Sequence, residues 1–265
     1  MESRNHLISI VTVSYNTVDF IEKTILSVIE QDFTDFEYIV IDGGSTDGTV
    51  EVIKRYANAI SYWASESDKG IFDAMNKALL VAKGDWIIFM NSGDSFYNNH
   101  ILSEIAIYME DEKTELIYGD VNLFSGKRDF IFKQRVSDIN INLNSVCHQT
   151  VFIRRKLHPD FDMRYKLTAD HDIIFDFIKR GQYIHANIVI AKVLLGGVSH
   201  DVIKTSLEKL LISYRKGTFV DLLLSPFCNI YQVVKYFVKK LLISALPVEL
   251  FDKMSRMKTK MESNF

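Results

Sequence analysis

The chain has 265 residues, 48% hydrophobic and 25% charged, with a formal net charge of −3. That length suits one large α/β domain with an appendage, or two small domains, and the charge excludes the global basic field of a nucleic-acid binder. Its two cysteines, Cys147 and Cys228, stand far apart without metal-ligand spacing, as in a reduced cytosolic protein.

The N-terminus leads into a short apolar run without the h-region or cleavage site of a signal peptide. That run, Leu7 to Val13, is β-branched and apolar, a first buried strand ending in the polar turn Ser14-Tyr15-Asn16-Thr17. Phe20, Ile21, Ile25, Val28 and Ile29 then recur at helical spacing. A second strand, Glu37 to Asp42, runs into Gly43-Gly44-Ser45-Thr46-Asp47-Gly48, and a helix follows with Val50, Ile53 and Tyr56 on one face. A third short strand, Ile60 to Trp63, precedes Glu66 to Gly70 and a helix carrying Phe72, Met75, Leu79 and Ala82 inward. The fourth strand opens at the helix-stop Gly84, runs through Trp86-Ile87-Ile88-Phe89-Met90 and ends in Asn91-Ser92-Gly93-Asp94. An apolar run bounded by turns is how a strand buried on both faces of a parallel sheet reads. Strands alternating with helices imply right-handed crossovers and a largely parallel sheet.

After Asp94 the rhythm changes. One helix is expected from Ile101 to Met109, then strands at Leu116–Val121, Phe130–Phe132 and Thr150–Ile153. No long helices separate these strands, so this half reads as mixed or antiparallel. Thr168 is a candidate N-cap for a helix opening Ala169-Asp170-His171-Asp172, whose acids suit the positive end of a helix dipole. Tyr183 to Leu195 supplies one or two late strands, stopped by Gly196-Gly197. Residues 1–200 thus read as one domain and 201–265 as a helical segment. Its Ile230–Leu246 stretch interleaves Lys235, Lys239 and Lys240 with apolar residues. That pattern fits a basic helix lying on an anionic membrane surface and equally one packed on the protein's own core. No window of about 18 residues is free of charge and proline, so a spanning helix is not expected.

Ligands of open parallel sheets sit outside the carboxyl ends of the strands. Four loops fall there: Thr12 to Asn16, Asp42 to Ser45, Asp68 to Gly70 and Ser92 to Asp94. Together they offer hydroxyls, backbone N–H groups, the Lys69 amine and acids, a set suited to a nucleotide diphosphate with a divalent cation. No Walker pattern occurs, and no Gly-x-Gly-x-x-Gly follows the first strand, which argues against a dinucleotide oxidoreductase.

Residues 12–16 (Thr-Val-Ser-Tyr-Asn), 40–49, 67–78 and 90–94 (Met-Asn-Ser-Gly-Asp) resemble glycosyltransferase family 2. Cys-His-Gln-Thr-Val-Phe (147–152), Ala-Asp-His-Asp (169–172) and Gly-Gly-Val-Ser (196–199) are similar to its bacterial polysaccharide-assembly branch. The resemblance covers about residues 5–200 and implies a GT-A fold and inverting sugar transfer from a nucleotide sugar, a UDP-sugar being the simplest donor. It implies that Thr12, Ser14, Asn16 and the Ser45 loop line the nucleotide pocket, that Asp42 accepts a base N–H, and that Lys69 and Gly70 lie near the nucleotide. Ser92 and Gly93 lead to Asp94, which takes the place of the metal-binding acid of the family's Asp-x-Asp motif. The first acid is replaced by Ser92, yet Mg²⁺ or Mn²⁺ can be held by one carboxylate, substrate phosphates and water. Asp170 matches the catalytic-base position, with Ala169 where an acid usually precedes it. Asp172 points about 200° away on a helix, and the two exchange roles if the helix starts elsewhere.

His148 and Gln149 are candidates for binding sugar, Gly119-Asp120 for the acceptor border, and His200 for a further metal contact. The expected acceptor is lipid-linked or a polysaccharide, and the amphipathic tail suits a polyprenol-linked acceptor, with peripheral contact at the cytoplasmic membrane face. Two other readings stand beside it. A sugar nucleotidyltransferase lacks support because no Gly-rich, Arg-bearing loop follows the first strand. A non-catalytic nucleotide-sugar-binding scaffold has the missing first acid in its favour.

Overall fold

The apolar runs that alternate with amphipathic helices form a parallel half-sheet in the computed structural model. It describes residues 7–124, 129–136, 146–194 and 201–218, and beyond them residues 221, 223, 226, 227, 230 and 234. Strands β1 (Ile8–Ser14), β2 (Phe36–Asp42), β3 (Tyr62–Ser65) and β4 (Trp86–Phe89) lie parallel in the order β3-β2-β1-β4. Helices α1 (Ile21–Ile29), α2 (Thr49–Arg55) and α3 (Ile71–Val81) make the crossovers. Every strand therefore ends at the same edge, and the register sets Ser14 directly opposite Asp42 there. Ile10, Ile25, Tyr38, Trp86 and Ile88 are fully buried in the core between sheet and helices.

The opposite end of this half-sheet is closed by a buried acid. Glu37 accepts bonds from the Ser9 hydroxyl at 2.6 Å, the Gly84 amide at 3.0 Å and the Lys83 amide. These bonds draw the α3–β4 turn against β1, and Gly84 fits because it has no Cβ.

After β4 the chain turns back. Strands β5 (Ser95–Phe96), β6 (Leu116–Phe124), β7 (Asp129–Phe132), β8 (Val151–Arg154) and β9 (Tyr183–Leu194) extend the sheet as β4-β8-β6-β9-β5, with β7 on β6. The β4–β8, β8–β6, β6–β7 and β5–β9 pairs are antiparallel and β6–β9 is parallel, the mixed half expected from the short connections. The late region is one strand of 12 residues, whose pairing with β6 shifts register next to Asn187, a residue at φ +51°. Helix α4 (Ile101–Ala106) stops short of Met109, and Ile107–Glu110 tightens into a 3₁₀ turn that leaves Ile107 exposed. The third strand begins at Tyr62 rather than Ile60, because a 3₁₀ turn at Ala57–Ala59 uses the residues before it.

Helix α5 (Ala169–Arg180) starts where Thr168 was expected to cap it, although the Thr168 side chain makes no capping bond. Chain contacts divide the protein into Met1–His200 and Asp201–Phe265. In the second unit, helix α6 (Val202–Lys216) is capped by the Asp201 carboxylate and exposes Ile203, Leu207, Leu211 and Tyr214 on successive turns. His200, Gly196-Gly197 and most of the Ile230–Leu246 stretch lie outside the described residues.

A Cβ on Gly84 would stand 2.5 Å from the Ser9 nitrogen and 2.7 Å from the Ile8 carbonyl carbon. Both are backbone atoms that cannot rotate away. Gly84→Ala is therefore expected to destabilise the fold by about 2–3 kcal/mol, read as a lowered midpoint in urea unfolding.

Candidate active site

The turn after β4 is shaped by helix α1. Gly93 sits at φ +100°, a conformation that glycine adopts without strain. The Thr24 hydroxyl accepts the Gly93 amide at 3.0 Å and donates to the Asp94 carbonyl at 2.6 Å. The Ser92 hydroxyl donates to Thr17 Oγ1 at 2.8 Å, tying this turn to the loop after β1. Asp94 is thereby fixed at the strand edge. Its Oδ2 accepts from Gln149 Nε2 at 2.7 Å and its Oδ1 from the Leu194 amide at 3.2 Å. Burial pushes its pKa up to about 6, against the opposing effects of those two bonds and of the His148 and Lys23 charges.

Next to Gln149, His148 does the same for a second acid. Its Nδ1 meets Asp170 Oδ2 at 2.7 Å, and its Nε2 meets Asn91 Nδ2 at 2.9 Å. The Asp170 Oδ1 accepts the His171 amide at 2.8 Å. Burial opposes the charged form of both partners, but their mutual hydrogen bond and attraction outweigh it. Asp170 is held below the usual carboxylate range and His148 above the usual imidazole range. Both side chains remain about one-fifth exposed, at 21% for His148 and 20% for Asp170. Asp172, one turn into α5, is buried at 7% exposure. The structure thus brings Asp170, and not Asp172, to the partly open pair with His148.

His148 and Gln149 belong to one 3₁₀ turn, His148–Thr150, which is itself anchored. Gln134 Oε1 accepts the Cys147 amide at 2.6 Å, and Gln134 Nε2 donates to Gly119 O at 2.6 Å and Thr150 Oγ1 at 2.7 Å. The free Cys147 thiol donates to Gln149 Oε1 at 2.8 Å, leaving the Gln149 NH₂ aimed at Asp94. Asp120, expected at an acceptor border, is buried and accepts the Gln134 amide, Arg135 and His185 at 2.9–3.1 Å. Its place is in the scaffold of this turn.

The nucleotide-edge residues divide into rim and support. Thr12 has no exposed surface and bonds to Tyr38 Oη and Met90 O, so it braces the sheet and does not line a pocket. Asp42 is wholly buried and takes five donors, from Ser14, Ser45 (backbone and hydroxyl), Gly44 and Ser65. Those bonds outweigh burial and depress its pKa, so its acceptor positions are committed to the loop rather than to a base N–H. Asn16, at φ +49°, accepts the Thr46 amide and donates its own amide to Ser45 Oγ, linking two rim loops. Lys69 is exposed, its amide held by Asp73, and Gly70 at φ +117° opens α3. Arg154 and Arg155 bind backbone carbonyls at the far end of β4 and β8.

Thr24, Asn91 and the Leu194 amide were not singled out as site residues in the sequence. Thr24 was detectable as the one hydroxyl within the apolar stripe Ile21, Ile25 and Val28. A backbone amide on β9 carries no sequence signal at all.

Residues 9–175 match the family described as Glycosyl transferase family 2. The chain belongs to that family. It is a glycosyltransferase of the GT-A fold. It is 29% identical over 223 residues to a PGL/p-HBAD biosynthesis glycosyltransferase of Mycobacterium bovis, covering 80% of this chain and 86% of that one. Its fold is shared with S. aureus TarS in complex with UDP, at TM-score 0.65 and 17% identity, over 91% of this chain and 76% of that one. Against the longer TarS structure, it spans 39% of that chain. A mannosyltransferase of Pyrobaculum calidifontis, in complex with GDP-Man and Mn²⁺, aligns at TM-score 0.66 and 15% identity over 97% of this chain and 81% of that one.

Because the folded pKa of Asp94, about 6, lies above the unfolded value, the stabilisation it gives is present at low pH and lost as pH rises through 6. The metal-free chain should lose about 2–3 kcal/mol from this group between roughly pH 4 and pH 7. Denaturant unfolding across that range should show the slope, and Asp94→Asn should flatten it.

Proposed function

We propose that this enzyme is an inverting, metal-dependent transferase. It moves a hexosyl or N-acetylhexosaminyl group from a nucleoside-diphosphate sugar, a UDP-sugar in the first instance, to a lipid-linked or polysaccharide acceptor. One observation carries the reading: consecutive side chains of a single turn, His148 and Gln149, hold the two acids that such a transfer needs.

Asp170 is the general base. Its depressed pKa keeps it anionic at neutral pH, and His148 fixes the direction of its open lone pairs. The acceptor O–H gives its proton to Asp170 while its oxygen attacks the anomeric carbon from the face opposite the diphosphate. Attack from that face inverts the anomer.

Asp94 fits a hard divalent cation, Mg²⁺ or Mn²⁺. It is an oxygen donor oriented by two bonds, and the burial that raises its pKa is a cost to the anion that a bound cation would offset. Among the described residues no group of three His, Cys, Asp or Glu side chains could enclose a metal; Asp94 would hold the cation, with substrate phosphates and water as its further ligands. When bound, the cation supplies Lewis-acid stabilisation of the leaving diphosphate. The Mn²⁺ and GDP-Man of the Pyrobaculum enzyme and the UDP of TarS support a nucleotide-sugar donor with a metal. No helix among the described residues is long and apolar enough to cross a membrane. The exposed apolar stripe of α6 supports peripheral contact with a membrane surface.

A thermal-shift panel of nucleoside diphosphates with and without Mn²⁺ tests the donor site. Metal-dependent stabilisation by UDP, lost in Asp94→Ala, is expected. No shift with any nucleotide sinks the proposal. Asp170→Asn should cut turnover about 10²–10⁴-fold with donor affinity kept. In the pH–rate profile, His148→Gln should move the acid limb upward, since burial then acts on Asp170 without its counter-charge.

A further inference from the structure

A second cluster adjoins Asp94 and holds neither acid. Lys23 immediately precedes Thr24, whose hydroxyl grips the Asp94 turn. Lys192 lies two residues before Leu194, whose amide binds the Asp94 carboxylate. Both ammonium groups stand over the Phe124 ring, with Lys23 at 4.5 Å and Lys192 at 5.2 Å from its centroid. The register explains this meeting. On the β6 strand Asn122 faces Lys192 and Ile131, and Phe124 faces Leu194 and Asp129. Paired residues share a face, so Phe124, Lys192, Asp129 and Ile131 all lie on one side of the sheet.

Lys192 is paired with Asp129 at 3.1 Å. Lys23 makes no hydrogen bond or ion pair among the described residues; Asp94 and Asp129 act on it through space only. Burial first and the Lys192 charge second hold Lys23 below the ordinary lysine value, so the two cations feel one another. A small, multiply charged oxyanion held by both would relieve that repulsion.

The cations border an apolar edge. Among the described residues β7 pairs only with β6, and its Phe130, Ile131 and Phe132 are 38%, 44% and 47% exposed. An apolar edge strand open to water on both faces is a liability unless something covers it. Asp129, the residue that engages Lys192, begins this same strand. Charge and apolar surface are therefore continuous, which is the signature of an amphiphile with an anionic head.

We propose that Lys23, Lys192 and Phe124 hold the phosphate of a lipid-linked acceptor, whose hydrocarbon chain lies along β7. The phosphate anchors the acceptor and takes no part in bond making. This assignment rests on the glycosyl-transfer reading and narrows its acceptor to a phosphate-bearing lipid.

Calorimetric titration of the full chain with dodecyl phosphate below its micelle concentration, inorganic phosphate, decyl maltoside and a nucleoside diphosphate with Mn²⁺ tests it. Dodecyl phosphate should bind best of the three non-nucleotide probes. Lys23→Ala combined with Lys192→Ala should weaken it at least about tenfold while nucleoside-diphosphate affinity stays within about twofold. Ile131→Ser should weaken dodecyl phosphate about fivefold and leave inorganic phosphate unchanged. Unchanged dodecyl phosphate affinity in the double-lysine variant overturns the subsite. Equal loss of nucleotide in that variant assigns the lysines to the donor and overturns the acceptor role. Inorganic phosphate or decyl maltoside binding as tightly as dodecyl phosphate overturns the lipid. A wild type that binds dodecyl phosphate through the lysines but no nucleotide upholds the subsite and defeats the glycosyl-transfer reading instead.

Discussion

The His148–Thr150 turn is the part on which the active-site geometry depends. A buried carboxylate costs several kcal/mol unless donors meet it, and an acid that must react cannot be wrapped completely. The protein resolves this by meeting each acid with few, directed donors, one side chain for each coming from the same short segment. Gln149 reaches Asp94 and His148 reaches Asp170, so the separation of the two acids is set by adjacent Cα atoms. The turn in turn is held by Gln134, which binds Gly119, Thr150 and Cys147 at once, and by Asp120 beneath it. A long chain of polar contacts, reaching from β6 to β4, stands behind the two carboxylates.

The two halves of the sheet divide the labour. The parallel half supplies edges: its register aligns the loops after β1, β2 and β4, and Asp42 fastens the first two of them with four bonds and the end of β3 with a fifth. Such saturation makes Asp42 a structural acid with a depressed pKa. Asp94 has two bonds, deeper electrostatic cost and a raised pKa. Equal chemistry at the end of neighbouring strands is thus tuned in opposite directions by the number of donors that meet it. The mixed half supplies the partners, since β8 leads out of the 3₁₀ turn and β9 brings the Leu194 amide and Lys192 to Asp94.

Local sequence determined the elements and the direction of the edge. The β-branched runs and helical stripes dictated β1 to β4 and their crossovers, because periodicity is a short-range property of the chain. The glycines at Gly84 and Gly93 and the acids at Asp94 and Asp170 were also legible, since turn chemistry and motif order are local. Tertiary structure alone decided what each polar group does. Thr12 and Asp42 read as ligand contacts, yet partners 26 and 23 residues or more away in sequence, Tyr38 and Ser65, claim them. That Asp170 is paired, and with what, was decided by His148, a residue 22 positions earlier. The lysine pair over Phe124 joins α1, β6 and β9, whose meeting no periodicity encodes. Hydrogen bonds and charges act through space over a few ångströms, so their assignment waits on the fold that brings distant residues within reach.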